Sequence, residues 1–361
     1  MIDDSAIPQA SALKGSPVVA VDVMGGDYGP PVTVPGALNA AREGGFSVLL
    51  VGDDSVVRAE LARHDTAGAQ YDIVHAPEVA LMGEKPSDIL RRKKDASIQV
   101  ACRLVKDGIA HGVVSPGHSG ASVACGMFIM GRIDGVERPA LMSVLPSEKR
   151  PTVVLDVGAN VDSKPHHLFQ FGLMADAYAK TTLERANPTI GLLSIGEEEG
   201  KGNILVKETY EIFKMAQNVN FVGNVEGRDM FIGDVDIVVC DGFVGNVALK
   251  LAEGLAGSLA RLLRRELLHS TLAAKIGAFL AKGALKRLAK FVDYAEYGGA
   301  PLLGLRGTLI VCHGSSNSKA ISNATKMAAA CVEKKMKERL IANISLNEEL
   351  TRFGKATKSF S

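Results

Sequence analysis

Six short segments of the sequence combine glycine with Asp, Asn, His or Ser, residue types that can bind and polarise a small anion. Glycine lets backbone N–H groups approach an anion closely, and the N-terminus of a following helix adds a favourable dipole. One such segment is weak evidence, because many glycine-rich loops are only tight turns. Six of them predict a site for a ligand that carries phosphate. They span residues 22–27, 115–121, 156–160, 223–229, 241–246 and 313–317.

These segments follow short apolar, β-branched runs that are typical of buried strands. Helix-like stretches such as 34–43 and 98–107 separate most of the runs. This alternation predicts a three-layer α/β/α sandwich with a mostly parallel sheet, in which ligands bind at the carboxyl ends of the strands. Ten strands are expected, at 18–23, 47–51, 72–75, 112–115, 140–144, 152–156, 189–195, 220–222, 237–240 and 308–311.

The common nucleotide and hydrolase motifs do not fit. Residues 196–202 (Gly-Glu-Glu-Glu-Gly-Lys-Gly) have one residue too few for a P-loop and place three carboxylates where a phosphate would bind. No Gly-x-Gly-x-x-Gly follows the first strand. Residues 117–121 form a degraded nucleophile elbow, which leaves a hydrolase as a less favoured alternative. No His pair has metal-ligand spacing, and the adjacent His166 and His167 are expected to point apart, so no metal site is predicted.

Composition narrows the class of protein further. The chain has 361 residues, 47 % of them apolar and 5 % aromatic, and a net charge of +1 that indicates no nucleic-acid partner. Its five cysteines include no Cys-x-x-Cys pair and several lie in apolar runs, which predicts buried thiols in a reducing compartment. No signal peptide or spanning segment is recognised, so a cytoplasmic protein is expected.

Residues 21–30 (Val-Asp-Val-Met-Gly-Gly-Asp-Tyr-Gly-Pro) resemble the opening signature of the PlsX family, the acyl-carrier-protein:phosphate acyltransferases. The resemblance runs in order from about residue 18 to about residue 345. It implies a fold similar to phosphate acetyl/butyryl-transferases and isocitrate/isopropylmalate dehydrogenases, usually a homodimer, with no cofactor. The further matching stretches are 155–160, 191–202, 221–229 with 241–250, and 297–304.

Two segments depart from the family pattern. The usual Ser-Ala-Gly-Asn-Thr-Gly-Ala loop reads Ser-Pro-Gly-His-Ser-Gly-Ala at 115–121, so that His118 and Ser119 replace Asn and Thr. The usual Arg-x-Lys-x-Ser-Ser segment begins at Arg92 and has Ala96 in place of one serine. We interpret both as drift within one activity.

The implied reaction is attack of inorganic phosphate on an acyl thioester, which needs positioning and charge stabilisation from the protein. We expect Arg92 and Lys94 to capture phosphate, and the loops to cradle it through Gly25, Gly26, Gly117, Ser119 and Gly120. The candidate catalytic residues are assigned to stabilising the oxyanion, orienting the pantetheine arm, relaying a proton or orienting a hydrogen-bond donor. They are His118, Asn160, Asn224, Asp241, Asn246 and His313.

Each assignment has a structural alternative. Arg92 and Lys94 could belong to a solvated helix start, and the three asparagines could be helix caps or left-handed residues. Asp22, Asp27 and Asp241 would repel phosphate, which favours a structural role for them.

Residues 255–292 have leucines at helical spacing and an excess of basic residues, which predicts a protruding amphipathic helical hairpin. Such a hairpin could lie on an anionic membrane, meet an acidic protein or pack at a dimer interface. Its candidate contacts are Arg264, Arg265, Lys282, Lys286, Arg287 and Lys290.

The sequence therefore predicts one acyltransferase domain over 17–345, between flexible tails at 1–16 and 346–361. The expected partners are acyl carrier protein, inorganic phosphate, a second copy of the chain, and either the membrane's inner face or a membrane-bound acyltransferase. Two alternatives stay open: a short-chain acyl-CoA phosphate acyltransferase, and a non-catalytic scaffold at the carrier protein or membrane surface.

Overall fold

The computed structural model describes residues 16–269, 271–291 and 298–351. Within these ranges eleven strands form one sheet, in the spatial order β3-β2-β1-β4-β11-β10-β5-β6-β9-β7-β8. The strands are Val18–Asp22 (β1), Ser47–Gly52 (β2), Gln70–His75 (β3), Gly112–Ser115 (β4), Ala140–Leu145 (β5), Thr152–Leu155 (β6), Thr189–Leu193 (β7), Asn220–Val225 (β8), Ile237–Val239 (β9), Ala300–Leu303 (β10) and Thr308–Val311 (β11).

The sheet has two parallel halves that are joined through three antiparallel pairings. The strands β3, β2, β1, β4 and β11 run parallel to one another, as do β6, β9, β7 and β8. Between the halves, β10 is antiparallel to both β11 and β5, and β5 is antiparallel to β6. The prediction of a mostly parallel sheet is confirmed.

Twelve α-helices lie in the described ranges. They are Pro30–Gly44 (α1), Asp54–Leu61 (α2), Pro86–Arg92 (α3), Ser97–Lys106 (α4), Ser119–Cys125 (α5), Pro165–Thr181 (α6), Ile204–Lys214 (α7), Gly242–His269 (α8), Leu272–Leu280 (α9), Lys282–Phe291 (α10), Ser318–Glu333 (α11) and Met336–Leu346 (α12). Proline occupies the first turn of α1, α3 and α6, where its missing N–H leaves no helical hydrogen bond unmade. None of the described helices is both long and apolar enough to cross a membrane.

Strand side chains alternate between the two helical layers, as a sheet buried on both faces requires. In β1, Val19 and Val21 pack with α1 and α11, whereas Val18 and Ala20 pack with α4. In β6, Leu155 packs with α6 and Val154 packs with the start of α8. The three-layer α/β/α arrangement is confirmed.

One strand was not predicted. The run that becomes β10 contains Pro301 and follows Gly298 and Gly299, a pattern typical of a turn, and it is only four residues long. Here the strand is held by antiparallel neighbours on both sides.

Only part of the predicted tails lies within the described ranges. Residues 1–15 and 352–361 lie outside them. The chain packs beyond residue 345, because Asn347 and Thr351 are buried and Asn347 Oδ1 accepts a hydrogen bond from the Gln217 N–H at 3.0 Å. The packed part of the chain therefore extends at least to residue 351.

Candidate active site

A cavity of about 1230 Å³ lies over one face of β5, where the alternate residues Leu141, Ser143 and Leu145 line it. One end is formed by polar loops that follow β1, β4 and β11. The rest of the wall is mainly apolar and comes from β5, α8 and the segment after β8. Polar-end residues are Asp27, Gly117, Ser119, His313 and Gly314; apolar wall residues include Met230, Phe231, Val247, Leu251, Leu255 and Leu259.

The loops at the polar end approach one another at backbone distance. A Cβ atom on Gly25 would lie 2.8 Å from the Gly117 nitrogen, and one on Gly26 would lie 3.1 Å from the Gly314 oxygen. Asp27 N–H donates to the Gly314 carbonyl at 2.8 Å. Gly26 also has a φ of 84°, which favours glycine. Gly25 and Gly26 therefore bring three loops together, whereas neither of them, nor the third predicted phosphate-binding glycine, Gly120, lines the cavity.

The Asp22 carboxylate joins two of these loops through hydrogen bonds. Its Oδ1 accepts from Gly25 N–H at 3.2 Å, and its Oδ2 accepts from the Ser115 hydroxyl at 2.8 Å. Ser115 Oγ in turn accepts from Gly117 N–H at 3.2 Å. Burial raises the pKa of Asp22, while hydrogen bonds from Ser97, Ser115 and the Gly25 N–H lower it. Asp22 thus has the structural role that the sequence favoured.

His313 and Asn246 are the candidate catalytic side chains that line the cavity. His313 Nδ1 accepts from the Ser315 N–H at 3.2 Å, so a neutral imidazole here carries its proton on Nε2. Asn246 lies near the start of α8 and lines the cavity from that helix.

His118 lies beside the polar end with both ring nitrogens engaged. Its Nδ1 accepts from Ala121 N–H at 3.2 Å and caps α5. The proton of the neutral ring is therefore on Nε2, which donates to the Glu84 carbonyl at 3.0 Å. Neither nitrogen is directed at the cavity in this arrangement.

The remaining candidates lie behind the cavity wall. Asn160 Nδ2 donates to Asp156 Oδ2 at 2.9 Å and to the Pro139 carbonyl at 2.8 Å. Asn224 Nδ2 donates to the Glu198 carbonyl at 2.9 Å. Asp241 accepts from the N–H groups of Phe243 and Ser163 at 2.9 and 2.8 Å. These contacts organise the loops after β6, β8 and β9.

The basic residues predicted to capture phosphate are exposed and do not line the cavity. Arg92 ends α3, and Lys94 Nζ donates to the Leu90 carbonyl at 2.6 Å. Lys250, which the sequence analysis did not single out, does line the cavity and pairs with Glu253 at 2.8 Å. Only its position on the first turns of α8 could have indicated it.

Part of the predicted amphipathic segment also belongs to the cavity. Leu255 and Leu259 of α8 line the wall although each is 57 % exposed, and Ile276, Phe279 and Leu280 of α9 are exposed without lining it. The side chains of Arg264, Arg265, Lys282, Lys286 and Arg287 are exposed as well. Residues 270 and 292 and the side chain of Lys290 lie outside what the structure describes.

The prediction that His166 and His167 point apart is wrong. Their ring centroids are 4.2 Å apart, and the two Nε2 atoms lie 2.7 and 3.6 Å from Glu137 Oε2. Sequence spacing could not show this, because Glu137 comes from a separate loop. The cluster does not fit a metal ion: His167 Nδ1 accepts from Lys164 N–H at 3.0 Å, which leaves the proton of the neutral ring on Nε2.

All five cysteines are buried, as predicted, and burial raises the pKa of each thiol. They therefore behave as small core residues rather than as nucleophiles.

Comparison with known proteins identifies sequence relatives of this chain. A family model described as "Fatty acid synthesis protein" matches residues 18–339. A protein of Nitratidesulfovibrio vulgaris named phosphate acyltransferase is 69 % identical over 343 residues, covering 95 % of this chain and 99 % of that protein. One of the same name from Lawsonia intracellularis is 63 % identical over 336 residues, with 93 % and 97 % covered.

Solved structures share the fold at low sequence identity. A phosphotransacetylase from Streptococcus pyogenes aligns with a TM-score of 0.62 and 17 % identity, covering 90 % of this chain and 95 % of that chain. A 4-hydroxythreonine-4-phosphate dehydrogenase from Klebsiella pneumoniae aligns with a TM-score of 0.51 and 14 % identity, covering 88 % and 98 %. With the extensive match to its sequence relatives, the chain belongs to the PlsX family of phosphate acyltransferases.

Proposed function

We propose that this protein transfers a fatty acyl group from the thioester of acyl carrier protein to inorganic phosphate, giving acyl phosphate for phospholipid synthesis. One observation carries the proposal: the cavity joins a polar, glycine-rich end to a long apolar wall. Loops of this kind suit phosphate, and an apolar wall suits a hydrocarbon chain. The names of the close relatives support the same chemistry.

In the proposed reaction an oxygen of hydrogen phosphate bonds to the thioester carbonyl carbon. The C–S bond then breaks, and the thiolate takes up the proton that phosphate loses. Phosphate is already a nucleophile and a thiolate is a good leaving group, so the protein contributes orientation and stabilisation of the developing oxyanion. No covalent enzyme intermediate is needed.

We assign the cavity-lining candidates to these tasks. The backbone around Gly117 and Ser119 is placed to bind phosphate, and His313 Nε2–H is a donor at the same end of the cavity. Asn246 lines the cavity from α8 and is assigned to the thioester carbonyl or the pantetheine arm. Arg92 and Lys94 are assigned to attracting phosphate from solvent, since they are exposed beside the loops rather than inside the cavity.

Exposed apolar and basic side chains on α8, α9 and α10 support a peripheral role at the inner face of the membrane, where a membrane-bound acyltransferase would use the product. Phe279 and Leu280 are 73 % and 79 % exposed, next to basic residues such as Lys282 and Lys286. Apolar insertion combined with attraction to anionic lipid is the usual basis of such binding. We also propose a homodimer, as is usual in the family.

The function is tested by a phosphate-dependent thioester assay. The purified protein is mixed with palmitoyl carrier protein, palmitoyl-CoA or acetyl-CoA, with and without phosphate, and released thiol and hydroxylamine-trapped acyl phosphate are measured. We expect equal release of both products, only with phosphate, and fastest from the carrier protein. A preference for acetyl-CoA would indicate the short-chain enzyme, and no product from any donor would indicate a scaffold.

A further inference from the structure

A loop between β3 and α3 reaches the cavity beside its polar end. We call residues 77–85 the flap. Met82 at its tip lines the cavity together with Gly117 and Ser119. Leu81 and Met82 are 58 % and 61 % exposed, so the flap carries two apolar side chains at the point where the cavity meets solvent.

The flap is held in place at Glu84. Lys93 Nζ donates to Glu84 Oε2 at 2.7 Å and to the Val79 carbonyl at 2.8 Å, and so joins two points of the flap. Glu84 Oε2 also accepts from Leu81 N–H at 2.8 Å. These contacts close the flap into a fixed loop and define where Met82 lies.

His118 connects this loop to the polar end of the cavity. Its Nε2–H donates to the Glu84 carbonyl, while its Nδ1 accepts from Ala121 N–H in the segment that follows Gly117 and Ser119. A Cβ atom on Gly120 would lie 3.0 Å from Pro86 Cγ, so the end of the flap and this segment are also in close contact. One imidazole ring therefore sets the distance between the flap and the loop that lines the polar end.

We propose that the flap, positioned by His118, excludes water from the thioester carbonyl while phosphate attacks it. This inference rests on the proposed function. Water competes with phosphate for the same carbonyl carbon: its oxygen forms the new bond, the C–S bond breaks, and the thiolate takes a proton from water. The products are then a fatty acid and free thiol instead of acyl phosphate and free thiol. Exclusion of water is a recognised way to suppress such hydrolysis.

Two substitutions of His118 separate its two hydrogen bonds. Asparagine can cap α5 through its side-chain oxygen but is too short to reach Glu84, so His118→Asn loses the connection to the flap. Glutamine is longer and carries an N–H donor that can reach the Glu84 carbonyl, so His118→Gln retains it. Met82→Ser tests the flap tip directly, and because Met82 is exposed the substitution leaves the core intact.

The experiment measures acyl phosphate formed per thiol released at saturating phosphate, and thiol release without phosphate. We expect a ratio near one for the wild type and His118→Gln. For His118→Asn and Met82→Ser we expect the ratio to fall at least about threefold and phosphate-independent thiol release to rise. Met215→Ser is the matched control, since Met215 is 58 % exposed at the end of α7. His111→Asn is a second, because His111 Nδ1 accepts from Val18 N–H away from the flap.

The outcomes separate this inference from the function on which it rests. If the wild type makes no acyl phosphate, the proposed function fails. If the wild type makes it but His118→Asn and Met82→Ser keep a ratio near one, the function stands and the role of the flap is overturned. A lower ratio in Met215→Ser would also overturn it, since the effect would not be specific to the flap. Thermal melting confirms that each variant is folded.

Discussion

Asp22 and Asp156 occupy equivalent places in the two halves of the sheet, since each lies at the carboxyl end of a strand and binds the loop that follows. Asp156 accepts five hydrogen bonds, from the N–H groups of Leu141, Gly158, Ala159 and Asn160 and from Asn160 Nδ2. Asp22 accepts from Gly25 N–H and from the side chains of Ser115 and Ser97, and its loops line the cavity.

A buried aspartate at the carboxyl end of a strand therefore has a different structural effect in each half. Around Asp156 the carboxylate binds three N–H groups of its own loop and that of Leu141 in β5, and the loop becomes a closed support. Around Asp22 the carboxylate is shared between two loops, and neighbouring backbone is left on the cavity wall. The loops around Asp22 therefore form the polar end of the cavity, whereas the loop of Asp156 is a closed support that contributes Val157 to the wall. We call the part of the sheet around Asp22 the open half and the part around Asp156 the closed half.

The largest expected effect concerns Gly245, which packs on the closed half. A Cβ atom at Gly245 would lie 1.9 Å from the Asp156 carbonyl oxygen, a backbone atom that cannot move aside easily. We expect Gly245→Ala to lower the free energy of unfolding by about 4 kcal/mol or more. Gly254 lies in the same helix, and a Cβ atom there would meet nothing within 4 Å, so Gly254→Ala is expected to add about 0.5–1 kcal/mol. Urea unfolding that gives equal values for the two variants contradicts the closed-half description.

The two aspartates should respond differently to amidation. In Asp156→Asn the new NH₂ group faces N–H donors of Asn160, and we expect a loss of about 3 kcal/mol. In Asp22→Asn the Ser115 hydroxyl can rotate to accept from the new NH₂ group, so a loss below about 1 kcal/mol is expected at pH 5. If urea unfolding gives similar losses in the free energy of unfolding for the two variants, the proposed difference between the two aspartates is wrong.

The pH dependence of Asp22→Asn sharpens this test. Burial raises the folded pKa of Asp22 above 3.8, so the stability contributed by its protonated form is lost as the pH rises through the folded pKa. The variant has no such group. As the pH rises from 4 to 8, the free energy of unfolding of the wild type should therefore fall relative to that of Asp22→Asn. A change in the opposite direction would refute the burial effect.

A smaller effect is expected at His167, which supports the closed half through the loop that contains Glu137. Burial, and then the nearby His166, lower the pKa of His167 to about 4. Stability present above pH 6.5 is therefore lost as the pH falls towards 4, by about 2 kcal/mol at pH 5. His167→Gln keeps an acceptor for Lys164 N–H, as in a capping box, and removes this loss. Equal losses from pH 7 to 5 in both proteins would contradict the explanation.

The last expected effect is on activity and concerns the open half. A Cβ atom at Gly25 would lie 2.8 Å from the Gly117 nitrogen and displace the loop after β4. We expect Gly25→Ala to raise the KM for phosphate about tenfold, equivalent to about 1.4 kcal/mol, with a smaller change for the acyl donor. Gly200→Ala is the control because nothing lies within 4 Å of the added atom. Equal changes in both KM values would argue against a phosphate site there.

Much of the fold could be predicted because buried parallel strands leave apolar, β-branched runs in the sequence, and the loops after them are rich in glycine. The strand β10 could not, since Pro301 and two preceding glycines resemble a turn. Local sequence also does not show which residues meet across the fold. Glu137 contacts His166 from 29 positions away, and His118 bonds to Glu84 from 34.

The candidate site was predicted at the level of loops rather than of individual side chains. Gly117, Ser119, Asn246 and His313 do line the cavity, whereas Asn160 and Asn224 lie behind it. Asparagine suits both a ligand and a loop hydrogen bond, so its type does not distinguish the two places.

The insertion of β11 between β4 and β10 has a consequence for biosynthesis. One edge of β4, at Gly112–Ser115, is paired by residues 308–311. At a translation rate of about 5–20 residues per second, the ribosome needs roughly 10–40 s to make the intervening chain. Throughout that time β4 has an open hydrogen-bonding edge, so the N-terminal half emerges as an incomplete sheet and is vulnerable to aggregation until residues 308–311 arrive.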